Sequence, residues 1–343
     1  MKAIVYQKEG GLTAVSIPRP VPEADQVLVR VVNVGFCGSD HSLVESGQLA
    51  DGTILGHEVS GVVAGLGRDV TGVAPGDRVI VRPTFCGQCR DCAMGKPQFC
   101  QVHRRLIGLG DLPGAFAEYI CVFPSMLIPV PDMVDDENAA LAEPFAVALH
   151  GIRISGRSSG SVLVMGGGPI GLALLKLLVV MGFGPIALSE PKTEKRELAS
   201  RFGAHAVFDP LAGDLNKEGF LFTGGVGFET VFECSGVPAN LQAAAQLSAR
   251  GGSVCVLSVI FSDAVISPAT LTFKEITLCA AYGNTHEENR QCLAWMAEGR
   301  LDGRDLITHR IGLEDLPDVY RSQIHTGLAV KVMIGFGEAG ACA

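Results

Sequence analysis

The chain has 343 residues, of which 48% are hydrophobic and 18% charged, and it carries a net charge of −9. That length favours two domains, and the composition, with 43 scattered glycines, excludes disorder, collagen and a coiled coil. The acidic balance argues against nucleic acid or an anionic membrane as partner, because both select basic surfaces.

The apolar run after Met1 is too short for a signal-peptide core. The longest apolar stretch, Leu172 to Phe183, is broken by Lys176 and falls short of the roughly 18 residues a membrane helix needs. The expectation is a soluble, cytoplasmic protein with no membrane partner. Eleven cysteines, an odd number, argue against a disulfide framework. Clustered ones are then metal ligands or reactive thiols, and scattered ones such as Cys121, Cys234, Cys255, Cys279 and Cys292 read as small buried hydrophobes.

In chain order, residues 1–150 are rich in short β-branched runs. Val27 to Val32 and Val59 to Val63 read as strands, and the turn Pro75-Gly76-Asp77-Arg78 leads into a strand over Val79 to Val81. Such strands predict a small barrel-like sheet. From residue 151 the pattern alternates. Ser161 to Met165 reads as a strand, followed by a glycine-rich turn and an apolar helix to Gly182. Pro185 to Ser189 is a strand, and Thr193 to Phe202 an amphipathic helix closed by Gly203. Val231 to Cys234 and Gly252 to Val259 are further strands around a helix over Pro238 to Ala249. This alternation predicts an α/β, doubly wound parallel sheet. A helix over Glu287 to Ala297 and short mixed elements follow, and the tail from Gly335 is expected to fray.

Three groups of residues carry chemistry. The first is Gly166-x-Gly168-Pro169-Ile170-Gly171, set between a predicted strand and helix, with Glu190 ending the next strand. Gly166 allows the tight turn, Gly168 lets backbone approach a pyrophosphate, and Gly171 allows close helix–strand packing. The helix N-terminus attracts phosphate, while Glu190 accepts from ribose hydroxyls and repels a 2′-phosphate, which favours NAD over NADP. Lys192, Lys195 and Arg196 soften that preference.

The second group is Cys86-x2-Cys89-x2-Cys92-x7-Cys100. Four thiolates with no open position suit a structural zinc; the spacing differs from the common iron–sulfur run, whose last gap is shorter and followed by proline. The third is Cys37, His57 and a carboxylate, either Glu58 or Glu143. Cysteine, histidine and carboxylate are the ligand types that hold a catalytic zinc with one open position.

The stretch Gly56-His57-Glu58-x2-Gly61-x5-Gly67-x2-Val70 resembles the zinc signature of the medium-chain zinc-containing alcohol dehydrogenase family. The cysteine lobe, Pro75-Gly76-Asp77-Arg78-Val79, the glycine fingerprint and Leu306-Ile307-Thr308-His309 fall in that family's order, so the resemblance covers nearly the whole chain. Within the family, Ala140 to Val147 around Glu143 and Ser189-Glu190-Pro191 resemble the polyol, butanediol and threonine dehydrogenase branch.

The resemblance implies a GroES-like β-rich catalytic domain over residues 1–150, with a zinc lobe near 84–102. It implies a Rossmann domain over 151–283 and a segment, 284–343, that returns to the first domain, the active site lying in the cleft between the two. It also implies two zinc ions per chain, NAD, and a homodimer or homotetramer in which strands near 254–283 extend the sheet across subunits. The implied reaction moves a hydride between a secondary alcohol, such as a diol or polyol, and NAD. Cys37 and His57 would bind zinc, with Glu58 or Glu143 as third ligand, and Ser39 would relay the proton. Many members have a histidine where Ser42 stands here; His41 lies one residue early and is either its substitute or a surface residue. Phe36, Phe116 and Phe145 either line an apolar pocket or belong to the core. Two rival functions are a zinc-independent NADPH quinone or enone reductase of the same fold, and a non-catalytic zinc-stabilised nucleotide-binding protein. Both leave the Cys37, His57 and Glu143 set without a purpose.

Overall fold

The computed structural model describes residues 1–336. From residue 337 on, the tail expected to fray lies outside the described residues. The chain begins with strands β1 (Lys2–Gln7), β2 (Gly11–Ser16) and β3 (Val27–Gly35), then helix α1 (Gly38–Ser46). Next come β4 (Glu58–Leu66), β5 (Arg78–Val81), the single turn α2 (Arg90–Ala93), β6 (Tyr119–Val122), β7 (Leu127–Pro129) and the long helix α3 (Asp136–Ile154).

An alternating stretch follows: β8 (Val162–Met165), α4 (Pro169–Val180), β9 (Ile186–Ser189), α5 (Thr193–Arg201), β10 (Ala206–Phe208) and α6 (Leu215–Phe222). It continues with β11 (Phe228–Glu233), α7 (Ala239–Leu247), β12 (Ser248–Val256), α8 (Pro268–Lys274) and β13 (Thr277–Ala280). The chain closes with α9 (His286–Ala297), β14 (Ile307–Gly312), α10 (Leu316–Val319) and β15 (Lys331–Gly335).

Two compact units result: residues 1–143 with the segment from Thr285, and Pro144–Asn284. The first division falls inside α3, between Glu143 and Pro144, rather than after residue 150. Composition cannot place it, because α3 is one continuous apolar helix across that point, and Pro144 sits within it.

In the first unit the sheet runs β14-β15-β3-β4-β5-β7, with β6 also pairing β3. β3 is β-branched and buried along most of its length, with Arg30 its exposed exception, as suits a strand covered on both faces. Its antiparallel register with β4 sets Gly35 opposite Glu58, and its register with β15 sets Gly35 opposite Met333. The last residues of β3, the first of β4 and the start of β15 therefore converge at one end of the sheet. The sheet closes on a core in which Phe36 and Phe116 stack at 5.6 Å between centroids. Phe36, Phe116 and Phe145 are all buried, so they are core aromatics and not the lining of an open pocket. Of the scattered cysteines, Cys255 and Cys292 are buried, and Cys121, Cys234 and Cys279 are half-buried.

In the second unit six strands, all parallel, run in the order β10-β9-β8-β11-β12-β13. The order reverses between β8 and β11. That reversal is the switch point at which an open α/β sheet offers a crevice beyond its carboxyl ends. The loop leaving β8 there is Gly166 to Gly168, and α4 begins at Pro169, where a missing N–H costs nothing. No described helix is long and apolar enough to cross a membrane.

Candidate metal centres and nucleotide loop

Cys37 caps the N-terminus of α1 directly after β3, and His57 directly precedes β4. The strand register brings them together: ligand atoms of Cys37, His57 and Glu58 all lie within 4.8 Å of one another. Three further side chains, not singled out from sequence, organise them. Asp40, fully buried in the first turn of α1, accepts the Cys37 N–H at 3.0 Å and the Gly56 N–H at 3.3 Å. Its Oδ1 sits 3.4 Å from His57 Nδ1, longer than a standard hydrogen bond, and no other group partners that nitrogen. With Nδ1 turned to Asp40, Nε2 is the nitrogen left for a cation. Burial disfavours the imidazolium of His57, but the Asp40 carboxylate and Cys37 sulfur outweigh it and raise its pKa well above the ordinary value.

Lys331, at the start of β15, is the second organiser. Its Nζ contacts both Glu58 oxygens at 2.7 Å and the Phe36 carbonyl at 3.1 Å, and both charged side chains are buried. Burial lowers the Lys331 pKa and Glu58 raises it; the raising effect wins. The third is Arg82, whose Nη2 lies 3.1 Å from Glu143 Oε1, again with both groups buried. Glu143 is therefore held on Arg82 and is not one of the three converging donors. Gly35 leaves the room Glu58 occupies: a Cβ there would stand 2.0 Å from Glu58 Oε2.

The charges test whether a metal fits. With His57 neutral and Cys37 a thiolate, as a bound metal ion requires, that sulfur and the carboxylates of Asp40, Glu58 and Glu143 outnumber the charges of Lys331 and Arg82 by two. One dication balances the group, and the donor set of sulfur, imidazole and carboxylate is one that zinc takes.

Ser39 lies in the first turn of α1, half-buried, two residues beyond Cys37. His41 turns instead toward Tyr320, Glu45 and His325, with Nδ1 3.1 Å from the Tyr320 hydroxyl. Burial lowers the His41 pKa.

The four cysteines of the lobe also converge. Cys86 and Cys92 sulfurs are 3.8 Å apart, Cys89 and Cys100 sulfurs 3.9 Å, and all four lie within 4.8 Å of one another. Tetrahedral zinc with bonds of about 2.3 Å requires sulfurs about 3.8 Å apart. Backbone hydrogen bonds at residues 86, 103 and 102 lower the Cys100 thiol to about 6, while burial and the neighbouring thiols push Cys92 up to about 12.

In the second unit Gly166 has φ +106, open to glycine but strained for other residues. A Cβ on Gly171 would stand 1.9 Å from the Gly166 carbonyl oxygen, whereas one on Gly168 would meet open space. The helix thus packs against its own turn and leaves the face at Gly168 clear. Glu190 follows β9 and reaches back to the loop: Oε2 accepts the Gly167 N–H at 2.8 Å and Oε1 the Lys192 N–H at 3.0 Å. Arg196 donates to the carbonyls of Glu190 and Pro191 and pairs with Asp209 at 3.0 Å. Its guanidinium is engaged in these contacts.

Comparison with known proteins agrees with this architecture. Residues 23–132 match the model of an alcohol dehydrogenase GroES-like domain, and residues 169–298 that of a zinc-binding dehydrogenase. The chain is 31% identical to an L-threonine 3-dehydrogenase of Rhizobium johnstonii, over 97% of this chain and 98% of that one. Among solved structures, a Sinorhizobium meliloti protein described as a zinc-binding dehydrogenase and bound to NADP superposes with TM-score 0.89 at 32% identity, covering 97% and 98% of the two chains. The 2R,3R-butanediol dehydrogenase of Bacillus subtilis superposes with TM-score 0.87 at 28% identity, covering 98% and 99%.

Proposed function

We propose a specific reaction for a chain that belongs to the medium-chain zinc-containing alcohol dehydrogenase family, in its polyol, butanediol and threonine dehydrogenase branch: oxidation of a secondary alcohol, of the vicinal diol or polyol class, to the ketone with NAD. As a member of that family it is an oxidoreductase acting on CH–OH groups. The observation that carries the reading is the convergence of Cys37, His57 and Glu58 at one end of the sheet, balanced by Lys331 and Arg82.

Cys37, His57 and Glu58 hold the catalytic ion, and Asp40 orients His57. Glu143, tied to Arg82, contributes charge rather than a bond to the metal. A zinc ion in this set supplies a Lewis acid that lowers the pKa of the substrate hydroxyl. Ser39 takes the hydroxyl proton toward solvent. In the second unit the Gly166 to Gly171 turn and the N-terminus of α4 cradle a pyrophosphate, with Pro169 and Ile170 opening the helix and Gly168 leaving the approach clear. Glu190 binds the adenosine ribose and selects NAD. NAD held there would supply the acceptor for the hydride of the carbinol carbon. Cys86, Cys89, Cys92 and Cys100 hold a second, structural zinc.

Ten cysteines are free among the described residues, which supports a cytoplasmic setting. The edge strand β13, with Leu278 44% exposed and Tyr282 50% exposed nearby, supports a homodimer or homotetramer joined along that edge.

The test is Cys37→Ala assayed for NAD reduction over a panel of secondary alcohols, with zinc measured on the same sample. Turnover is expected to vanish and zinc to fall from two ions per chain to one. Unchanged turnover refutes the role given to Cys37.

A further inference from the structure

One buried carboxylate in the second unit takes no part in the machinery described above. Glu233 ends β11, and its side chain is fully buried. Its Oε1 accepts the Ser235 N–H at 2.8 Å and the Ser235 hydroxyl. Its Oε2 accepts the Ser258 hydroxyl and, at 3.4 Å, the Gly236 N–H. Its carbonyl accepts the N–H groups of Leu257 and Ser258 at 2.8 and 3.2 Å. One residue therefore ties the loop that leaves β11 to the loop that leaves β12.

Ser235 carries the order outward. While donating to Glu233, its hydroxyl accepts the Val237 N–H at 3.1 Å and an Asn240 Nδ2–H at 2.8 Å, which reaches the first turn of α7. On the other side the Cys234 N–H donates to the carbonyl of Met165, the last residue of β8, at 2.9 Å. The Ser235 backbone presses on the glycine turn: a Cβ on Gly166 would stand 2.9 Å from both Ser235 N and Ser235 Cα. The loop leaving β11 thus flanks the turn leaving β8, at the reversal of strand order where an open α/β sheet takes its ligand.

Burying a carboxylate is costly unless donors surround it, and an apolar side chain would fill the end of β11 without that cost. The side-chain partners of Glu233 all lie in the two loops, and Ser235 and Val237 are exposed in front of it. Fixing such a loop before a ligand arrives removes an ordering cost from binding. We propose that Glu233 is a positioning residue for the dinucleotide: it holds Ser235 to Val237 against Gly166, so that the wall beside the glycine turn is set before the nucleotide binds. Glu233 acts through the loop rather than by contact, and Ser258 supports it. The proposal rests on the reading of the glycine turn as the dinucleotide seat.

NADH is titrated calorimetrically into the wild type, Glu233→Leu, Glu233→Gln and Ser258→Ala, each checked for a native circular dichroism spectrum. Leucine fills the space without an acceptor, glutamine keeps one oxygen for Ser235, and alanine at 258 removes a single anchor. Glu233→Leu is expected to weaken NADH binding about ten-fold and Ser258→Ala about three-fold, the effect of ordering one or two side chains on binding. Glu233→Gln should stay within about two-fold of the wild type, since one amide oxygen still accepts from Ser235. KM for NAD should rise by more than kcat falls, and amide exchange across residues 234–237 of the nucleotide-free protein should quicken in Glu233→Leu. If Glu233→Leu does not fold, Ser258→Ala decides. The proposal alone is overturned if the wild type binds NADH and a folded Glu233→Leu or Ser258→Ala binds it equally well, whatever happens to the melting temperature. If the wild type binds neither NADH nor NADPH, the reading of the turn falls and the proposal falls with it.

Discussion

Replacing Lys331 by methionine removes the charge of the buried pair and keeps most of the side chain's length. Glu58 then stays fully buried, with both oxygens stripped of the cation that stood 2.7 Å away. Breaking a buried pair in this way costs about 3–5 kcal/mol. The Arg82 guanidinium also acts on Glu58, which puts the expectation near the lower end, about 3 kcal/mol, or roughly a hundred-fold in the unfolding equilibrium. The full cost belongs to metal-free protein, since a cation held by Glu58 replaces part of the lost attraction. Trp295, the chain's single tryptophan, lies on α9 in the same unit as Lys331, so its fluorescence in a urea titration reports the right transition. Glu58→Gln and the double variant complete a cycle. Removing both charges should cost less than the sum of the singles, with a coupling of about 2 kcal/mol or more. Additivity within about 0.5 kcal/mol would show that the two charges do not support each other, and the reasoning about the site's charge balance would fall with it.

Three other outcomes are expected. Glu190→Ala should raise KM for NAD by about ten-fold, the value of roughly one charge-assisted hydrogen bond, and KM for NADP by much less; an equal rise for both removes Glu190 from the ribose. Asp40→Asn should lower affinity at the catalytic zinc by about 10- to 100-fold, read by competition with a chromophoric chelator, while the four-cysteine centre keeps its ion. Cys92→Ser should leave one zinc per chain and lower the melting temperature, with the Cys37 centre still loaded; two ions per chain in that variant would contradict the four-thiolate assignment.

Some of this was legible in residue order because it is local. The four cysteines sit in one short loop, so their spacing alone brings the sulfurs close, and the structure finds pairs at 3.8 and 3.9 Å. The glycine turn is equally local: φ +106 at Gly166 and the 1.9 Å approach at Gly171 follow from a strand turning at once into a helix. Elsewhere residue order was silent. Helix α1 carries little amphipathic pattern, and α3 reads as a ligand motif around Glu143 more readily than as a helix of 19 residues. The β1–β2 hairpin was also missed. Lys331 did leave a signal, a lone charge in the apolar run Val330 to Ile334, but nothing in that run says which carboxylate it meets.

Motif order therefore carried the resemblance to the family, and local spacing set the α/β alternation, the four-cysteine lobe and the glycine turn. Which carboxylate lies beside Cys37 and His57 depended instead on register. Because Gly35 pairs with Glu58 on one side and with Met333 on the other, the ends of β3, β4 and β15 meet, and Lys331 reaches Glu58 across 273 positions of chain. Arg82 draws Glu143 aside in the same fashion. Such pairings join segments far apart along the backbone, and only the closed sheet, with its buried charges forced to find partners, could select them.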